Sequence, residues 1–438
     1  MRVLILADDC NPEWPSLPVV GYKAARAIAD HAEVVVATHI RNRENLTKHG
    51  FGHAQVHYVD NEYVANPLFK LGTKLRGGNA TGWTTAIAIS YPSYLAFEWE
   101  VWRAFKDELR AGKFDVVHRI TPMSPTLPSP LASWSPVPFV LGPLNGGLKW
   151  PAAFRQELAR EREWLSYVRN MYRALPFLGA TYRRSAALLA AFEHTIADLP
   201  AYARERALNF PEVGIDPEVF DQVAARPVRK QKTILFAGRL VPYKLADVVV
   251  RAYADHPVLH EHRLIIAGDG PDRGLLESIL RERGLLERVE LAGWKTQSEV
   301  AHLMREADIF AFPSIRELGA GVVVEAMACG LACVVVDYGG PGTLIDQDRG
   351  VKVPLASKDE LVKSFGRALE RLVAEPESCV RLGAAARQHA LDHYTWDAKA
   401  QKTRRVYDWV LGQGPRPDFW APAAASPGSL PEREAERA

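Results

Sequence analysis

The sequence contains little cysteine, carries almost no net charge and has no long hydrophobic run. Its 438 residues include 54 basic and 52 acidic residues, for a formal net charge of +2, so we expect no nucleic-acid partner. The four cysteines are Cys10, Cys329, Cys333 and Cys379. They form no Cys-x-x-Cys pair and no cluster with histidine, which favours reduced thiols and argues against a structural zinc site. No apolar run approaches the ~20 residues that a membrane-spanning helix needs.

The length and the N-terminal sequence indicate a two-domain cytoplasmic protein. A chain of 438 residues is too long for one hydrophobic core, so we expect two domains. Hydrophobic residues make up 47% and charged residues 24%, which is ordinary for a globular protein. Met1-Arg2 leads directly into the apolar run Val3–Ala7. That run is too short for a signal peptide and is typical of a first parallel strand.

The stretch from Tyr63 to Phe105 is rich in aromatic residues and contains Lys70, Lys74 and Arg76, a pattern that leaves open either a sugar-stacking patch or peripheral contact with the inner face of a membrane. Within this stretch Trp99, Trp102 and Phe105 recur at helical spacing, which favours a core-facing helix surface for these three residues. For the loop that precedes these three residues, a ligand-binding surface remains an alternative.

The most informative stretch runs from Ile309 to Gly330. An apolar strand is ended by Pro-Ser, and two carboxylates follow, Glu317 and Glu325, with seven residues between them. Gly319 and Gly321 lie in that interval, and a helix-forming Ala-Met-Ala sequence comes next. Ligands of open α/β sheets bind at this end of the strands. A favourable contact with the helix dipole would explain Glu325, but it does not explain Glu317 or the two glycines.

This pattern resembles the paired-glutamate signature of retaining glycosyltransferases of family 4, also called group 1. In that family the motif reads Pro-Ser, Glu-Gly-Phe-Gly and Glu-Ala-Met-Ala-x-Gly. Here the centre reads Glu-Leu-Gly-Ala-Gly over residues 317–321, so the glycines are displaced by one position. The resemblance extends to about Leu411. It implies an α/β GT-B fold, in which two Rossmann-like doubly wound domains face each other across a cleft and a C-terminal helix crosses back to the N-terminal domain.

A second motif places two cations beside a strand-to-helix turn. The strand Thr233–Ala237 is followed by Arg239 and Lys244, where backbone N–H groups and the helix dipole favour an anion. The string Gly-Arg-Leu-x-Pro-x-Lys matches the family's diphosphate-binding loop, although Leu245 stands where the family has glycine. Gly268 and Gly270 belong to a Gly-Asp-Gly-Pro turn that misses the dinucleotide fingerprint, so we expect no NAD cofactor.

The resemblance assigns further residues on both sides of the cleft. The implied donor-binding residues are Arg239, Lys244, Gly268, Gly270, Trp294, Lys295, Glu317, Gly319, Ala320, Gly321, Val322 and Glu325. The implied acceptor and diphosphate loops contribute Val20, Gly21, Gly146 and Gly147. A plain tight turn explains the last two glycines equally well. His118 ends an Asp-Val-Val-His strand, where a structural histidine is as common as a functional one, and the resemblance implies a place near the donor sugar and the acceptor.

The implied activity is a retaining, metal-independent transfer of a hexose from a UDP- or GDP-sugar to a hydroxyl acceptor, without a cofactor, in polysaccharide or glycoconjugate biosynthesis. The implied catalytic residues are Glu317, His118, Arg239 and Lys244. Because negative charge develops on the leaving diphosphate, fixed cations there stabilise the transition state. Glu325 would accept hydrogen bonds from the ribose, and Glu317 would face the transferred sugar. A sugar phosphorylase, a sugar-nucleotide epimerase and a non-catalytic sugar-nucleotide-binding subunit remain alternatives.

Domain boundaries follow from the same reading. We predict an N-terminal acceptor domain over residues 1–208, an interdomain linker over 209–231, a C-terminal donor domain over 232–393 and a crossover helix over 394–412. The linker contains a basic, proline-interrupted stretch. Residues 413–438 are rich in proline, alanine and glutamate without periodicity, and we expect a mobile tail there.

Overall fold

The computed structural model describes residues 1–76, 83–160, 175–221 and 228–420. Within these ranges the chain forms two parallel β-sheets, one in each half. Part of the predicted linker, residues 222–227, and most of the predicted mobile tail, residues 421–438, lie outside the described residues. The two sheets are separated by the segment from 210 to 232, which overlaps the predicted linker.

The N-terminal sheet has the strand order β3-β2-β1-β4-β5-β6-β7. Its strands are β1 Arg2–Ala7, β2 Glu33–His39, β3 Gln55–Val59, β4 Val116–Thr121, β5 Phe139–Leu144, β6 Ser185–Ala190 and β7 Ala207–Asn209. The C-terminal sheet has the order β10-β9-β8-β11-β12-β13. Its strands are β8 Thr233–Ala237, β9 Arg263–Ala267, β10 Val289–Gly293, β11 Ile309–Phe312, β12 Ala332–Val336 and β13 Gly350–Val353. In each sheet the strand order reverses beside the first strand, the place where doubly wound folds bind ligands.

Helices connect the strands throughout the described ranges. They are α1 Leu17–Ala29, α2 Arg43–His49, α3 Glu62–Arg76, α4 Trp83–Arg110, α5 Leu131–Trp134, α6 Arg155–Arg160, α7 Leu178–Arg184, α8 Glu193–Asp198, α9 Ala201–Arg204, α10 Pro217–Phe220, α11 Ala246–Asp255, α12 Arg273–Glu282, α13 Gln297–Glu306, α14 Gly321–Ala328, α15 Gly339–Leu344, α16 Lys358–Ala374, α17 Pro376–Tyr394 and α18 Trp396–Val410. Short 3-10 turns cover Ile40–Asn42, Ala152–Phe154, Pro242–Lys244 and Pro257–Glu261. None of the helices in the described ranges has both the length and the apolar character that crossing a membrane requires.

Strand β1 shows why the sheets are covered on both faces. Val3 and Ile5 pack in one hydrophobic cluster with helices α1 and α18, whereas Leu4 and Leu6 pack in another with helix α4. Successive side chains of a strand point to opposite faces, so a continuous apolar strand needs helices on both sides. The near-continuous apolar runs in the sequence are therefore a direct consequence of the layered architecture.

The surface of α4 corrects one expectation. Phe105 is buried, as predicted, but Trp99 is 48% exposed and packs edge-on against Trp134. The predicted core-facing surface is therefore wrong for Trp99, because the buried face of α4 is formed instead by Tyr94, Phe97, Val101, Phe105 and Leu109.

Helix α18 starts beside the C-terminal domain and ends in the core of the N-terminal domain. Thr395 caps its N-terminus by accepting a hydrogen bond from the backbone of Ala398 at 3.1 Å. Farther along, Val406 and Tyr407 are fully buried in the cluster that contains β1 and α1. The helix thus crosses between domains, as predicted. Beyond it, residues 413–420 make defined contacts: the Trp420 indole donates to the carbonyl of Asn209 at 3.0 Å.

His118 joins the N-terminal sheet to α18. Its Nε2 lies 2.7 Å from the carbonyl oxygen of Gly142, and its Nδ1 lies 2.6 Å from the hydroxyl of Tyr407. A carbonyl only accepts hydrogen bonds, so Nε2 carries the proton and Nδ1 accepts from the tyrosine. The ring is 1% exposed, and its burial lowers the pKa of His118 to about 4.

A second crossing involves residues 148–160, which we call the arm. The arm follows β5 of the N-terminal domain but packs on the C-terminal domain. Phe154 is 1% exposed and belongs to the C-terminal hydrophobic core. Glu157 binds the ammonium group of Lys358 at 2.7 Å, and Arg160 pairs with Asp272. The two domains are therefore connected by the linker, the crossover helix and the arm.

The buried His118 predicts a pH-dependent stability. The unfolded histidine binds a proton below about pH 6.5, whereas the folded one binds it only below about pH 4. Stability from this group is therefore present above pH 6.5 and is lost as the pH falls from 6.5 to 4. In chemical unfolding at several pH values, we expect the free energy of unfolding of wild type to fall more steeply over this window than that of His118→Gln, by up to about 3 kcal/mol.

The exposed His53→Gln is the matched control and should keep the wild-type slope. Equal slopes for wild type and His118→Gln would contradict a neutral, buried ring.

Candidate functional site

Two loops at the reversal point of the C-terminal sheet bring a lysine and a glutamate together. Lys244 follows strand β8 and Glu317 follows the adjacent strand β11, and the ammonium nitrogen lies 2.6 Å from the carboxylate oxygen. The two side chains keep 12% and 16% exposure, so the pair lies at the surface of the cleft without being fully solvated. The ammonium group also lies 5.0 Å from the ring centre of Phe312.

Left-handed backbone residues shape both loops. Leu245 has φ 51° and Ala320 has φ 47°, and each directly precedes the first turn of a helix. Leu245 occupies the position at which the resembled family has glycine. A left-handed conformation costs a non-glycine residue roughly 1–2 kcal/mol. Both side chains are buried, with 0% and 1% exposure, so hydrophobic packing offsets this cost.

Tyr243 links the two loops. Its carbonyl accepts hydrogen bonds from the backbone N–H of Ile315 at 3.0 Å and from the Ser314 hydroxyl at 3.3 Å. Its own hydroxyl accepts from the Arg239 guanidinium at 3.2 Å. The predicted cations Arg239 and Lys244 therefore belong to one hydrogen-bonded unit with the loop that carries Glu317.

Close packing explains why the predicted nucleotide turn has glycine at positions 268 and 270. A Cβ atom at Gly268 would lie 1.9 Å from the carbonyl oxygen of Gly238, and one at Gly270 would lie 2.4 Å from that of Leu240. Both distances are far below a van der Waals contact, so only glycine lets this turn approach the cation-bearing loop. Gly268 and Gly270 are thus placed against the predicted diphosphate loop.

Glu325 faces a separate pocket of about 430 Å³ between the domains. The Gln297 amide donates to its carboxylate at 3.0 Å, and burial of the carboxyl raises the pKa of Glu325. The pocket is lined on the C-terminal side by Ala237, Gly238, Lys295, Gln297, Val300, Val322 and Glu325, and on the N-terminal side by Pro12, Glu13, Trp14, Pro15, Ser16 and Val19.

The remaining predicted donor residues differ in their surroundings. Trp294 is 72% exposed, and Lys295 lies 3.9 Å from Glu299 while lining the pocket. Gly319 lies against the interdomain segment, because a Cβ atom there would be 3.0 Å from a carboxylate oxygen of Glu212. Gly321 begins helix α14. Val322 lines the pocket beside Glu325.

On the N-terminal side, the structure places the predicted loop residues in two different surroundings. A Cβ atom at Gly21 would lie 2.3 Å from the carbonyl oxygen of Asp9, which gives this glycine a packing role; Val20 packs on the domain core. Gly147 has φ +81° and lines a second interdomain cavity of about 500 Å³. Gly146 packs against Pro125.

His118 is not brought together with the two glutamates. Both of its ring nitrogens are engaged, by Tyr407 of the crossover helix and by the carbonyl of Gly142, and the ring is buried. The predicted role of His118 at the acceptor therefore has no support in its contacts. The predicted strand end at His118 is wrong, because β4 continues to Thr121 and the imidazole lies in the interior of the sheet under α18.

The sequence reading missed a partly buried polar cluster around Glu212. The Asn145 amide donates to the Glu212 carboxylate, and the Lys399 ammonium group donates to its carbonyl oxygen. Burial raises the pKa of Glu212 to about 7 and lowers that of Lys399 to about 7. The nearby Glu317 also raises the pKa of Glu212. Glu212 is thus a third carboxyl group beside the glutamate loop, on a segment that the sequence identifies only as a linker.

No local sequence signal marks the cluster as a site, because its members come from the N-terminal domain, the linker and the crossover helix. Across the part of the chain that the structure describes, no three His, Cys, Asp or Glu side chains gather in a group able to hold a metal ion.

Comparisons with known proteins agree with this arrangement. Residues 220–389 match the model of the family described as glycosyl transferases group 1. The D-inositol 3-phosphate glycosyltransferase of Mycobacteroides abscessus is 30% identical over 229 residues, which are 49% of this chain and 48% of that protein. The enzyme of the same name from Mycobacterium bovis is 32% identical over 216 residues, 46% of this chain and 43% of its own length. The chain thus matches about half the length of these curated relatives.

Solved structures resemble nearly the whole chain. Sucrose-phosphate synthase from Thermosynechococcus elongatus superposes with a TM-score of 0.62 at 16% identity, covering 94% of this chain and 100% of that one. The HepE protein of Anabaena, solved in complex with UDP, superposes with a TM-score of 0.60 at 16% identity, covering 92% and 98%. At this identity the likeness establishes the fold. The similarity to the group 1 glycosyltransferases therefore covers residues 220–389, and the two-domain architecture is the GT-B fold.

Proposed function

We propose that the protein is a retaining, metal-independent glycosyltransferase that moves a hexose from a nucleotide sugar to a hydroxyl acceptor. The observation that carries the proposal is the Lys244–Glu317 pair at the reversal point of the C-terminal sheet, with Arg239 held in the same unit by Tyr243. Ligands of doubly wound folds bind at this point, and the cations belong to a loop that resembles a diphosphate-binding loop.

The proposed chemistry uses Lys244 and Arg239 on the leaving group. When the bond between the sugar and the diphosphate breaks, negative charge develops on the diphosphate, and fixed cations stabilise it without the help of a metal ion. Glu317 lies 2.6 Å from Lys244. We propose that its carboxylate accepts hydrogen bonds from sugar hydroxyls and stabilises positive charge on the anomeric carbon. Retention of the anomeric configuration is the outcome that the family resemblance implies.

The interdomain pocket supports an assignment for the nucleoside. Glu325 is a half-buried carboxyl that accepts from Gln297, and a ribose offers two hydroxyl donors to such a group. We propose that Glu325 holds the ribose, with Lys295 and the neighbouring backbone beside the base. A UDP-sugar is the first candidate donor, because the similar HepE structure was solved with UDP; a GDP-sugar is the next.

The acceptor is proposed only as a class. The curated relatives are named for an inositol phosphate acceptor, whereas this chain matches about half of their length. We propose a hydroxyl group of a glycan, a lipid-linked sugar or a small metabolite, in polysaccharide or glycoconjugate biosynthesis. The same-fold alternatives, a sugar phosphorylase and a sugar-nucleotide epimerase, are separated from this reaction by their products: a sugar phosphate or an isomerised donor.

Nucleotide binding is tested by thermal unfolding with UDP-, GDP-, ADP- and dTDP-sugars, each with and without EDTA. A ligand that binds only the folded state raises the melting temperature by mass action. We expect one nucleotide to raise it and EDTA to leave that shift unchanged. A shift that EDTA abolishes would contradict the metal-free proposal, and no shift with any of the four sugar nucleotides would contradict the donor class.

The leaving-group assignment is tested by Lys244→Met. This change removes the ammonium group and keeps a side chain of similar length, so we expect turnover of the donor identified above to fall by about 10²–10³-fold. Turnover is measured as release of the nucleoside diphosphate. The exposed Lys230→Met is the matched control and should retain wild-type turnover. Wild-type turnover in Lys244→Met would rule out this cation as the group that stabilises the diphosphate.

The nucleoside assignment is tested by Glu325→Gln and Glu325→Ala in equilibrium binding of the free nucleoside diphosphate. Loss of hydrogen bonds to a charged acceptor typically costs about 1.5–3 kcal/mol, so Glu325→Ala should weaken binding by roughly ten- to a hundredfold. Glu325→Gln, which still accepts hydrogen bonds, should lose less. The exposed Glu287→Ala serves as the control. Equal affinities for Glu325→Ala and wild type would remove Glu325 from the ribose site.

A further inference from the structure

The arm, residues 148–160, belongs to the N-terminal domain by sequence and to the C-terminal domain by contact. Its C-terminal half is held at several points that do not involve the donor loops. Phe154 lies in the C-terminal core, Glu157 binds Lys358 at 2.7 Å, and Lys358 also lies 3.3 Å from Asp247. At its N-terminal end, the carbonyl of Lys149 accepts a hydrogen bond from Tyr338 at 2.6 Å.

Trp150 lies between these anchors and contacts both donor loops. Its indole ring meets the ring of Tyr243 edge-on, with centroids 6.5 Å apart and an interplanar angle of 88°. The guanidinium group of Arg316 lies over the same indole, 4.9 Å from its centroid. Edge-to-face aromatic pairs and stacked guanidinium groups are both attractive, and each restricts the orientation of the partner.

The two residues that Trp150 contacts are the chain neighbours of the paired charges. Tyr243 directly precedes Lys244, and Arg316 directly precedes Glu317. The hydroxyl of Tyr243 also accepts the hydrogen bond of Arg239. Trp150 therefore reaches all three charged groups assigned to the donor site through one intermediate residue each. Tyr243 connects it to Arg239 and Lys244, and Arg316 connects it to Glu317.

From this geometry we propose that Trp150 is a positioning residue of the donor site, and that the arm works as part of the C-terminal domain. The proposal rests on the proposed function, because it assigns Trp150 to the diphosphate end of the nucleotide-sugar site. Trp150 fixes the ring of Tyr243 and the guanidinium of Arg316, and these in turn fix the directions of the Arg239 and Lys244 side chains. The bound group that depends on this arrangement is the distal phosphate of a nucleoside diphosphate.

A purely structural role for Trp150 and a positioning role predict different effects of removing its indole. The arm has its own anchors at Phe154, Glu157 and Arg160, so loss of the indole leaves those contacts in place. If Trp150 acted only in packing, its removal would lower stability without changing which phosphate group the site prefers. If it positions the cations, its removal changes the preference for a diphosphate over a monophosphate.

The test compares equilibrium binding of UDP, GDP, ADP and dTDP with binding of UMP, GMP, AMP and dTMP. For the nucleotide that wild type binds, we expect Trp150→Ala to weaken diphosphate binding by about tenfold, the order expected from losing an aromatic pair and a cation–π contact. Monophosphate binding should stay within about twofold, because the cations face the second phosphate. Trp150→Phe keeps an aromatic face for Arg316 and should restore most of the diphosphate affinity.

Trp99→Ala removes an indole of the same size from the surface of α4 and is the matched control; it should keep both affinities. Should Trp150→Ala fail to fold, Arg316→Gln removes the stacked cation while leaving the indole in place and should produce the same selective loss. Equal losses for diphosphate and monophosphate, or no loss at all, would overturn the proposal. If wild type binds none of the nucleoside diphosphates, the proposed function itself fails, an outcome separate from wild-type-like binding by Trp150→Ala.

Discussion

The ion pair between Lys244 and Glu317 depends on three features of the C-terminal domain. Two unit charges 2.6 Å apart attract by about 6 kcal/mol at an effective dielectric constant of 20, but removing both from water offsets most of that energy. The pair therefore contributes less to stability than to geometry. Its formation requires adjacent strands β8 and β11, a left-handed residue after Lys244, and a loop that returns the chain from Glu317 to helix α14. The parallel strand order makes β8 and β11 neighbours. Buried packing stabilises the left-handed Leu245 after Lys244, and buried packing of Ala320 stabilises the loop between Glu317 and α14.

Most of this C-terminal arrangement could be predicted from the sequence, because its determinants are local. An apolar run, a turn and a helix-forming stretch define each βα unit, and the motif residues lie at the ends of the strands that precede them. Parallel strands place such ends at one edge of the sheet, so the motifs meet without further information. That reasoning, together with the family resemblance, was sufficient to predict the two-domain fold, the crossover helix and the proximity of the cation-bearing and glutamate-bearing loops.

The parts that sequence reading missed all depend on contacts between distant segments. His118 was expected at the end of a strand, but β4 continues to Thr121, and Tyr407, on a helix from the other end of the chain, lies beside the imidazole. Glu212 was placed in a linker, and only the folded chain brings it to Asn145, Gly319 and Lys399. The arm shows no periodicity or composition that would indicate packing on the opposite domain. In each case the contact partner lies more than a hundred residues away in the chain or in the other domain. A local sequence pattern contains no information about such a partner.

These long-range contacts determine how firmly each connection between the two domains is held. Lys399 is buried and Glu212 is partly buried at the junction of the linker and the crossover helix, and leaving Lys399 without its partners would cost the energy of an unpaired buried charge. The junction is therefore a poor place for the chain to bend. Gly146 and Gly147, by contrast, lie between β5 and the arm, and Gly147 already has φ +81°. The C-terminal core encloses Phe154, so the arm is fixed to that domain, and these two glycines join it to β5. Trp150 is therefore held against Tyr243 and Arg316 by the same domain that carries Arg239 and Lys244, so the orientation of these side chains is set within that one domain.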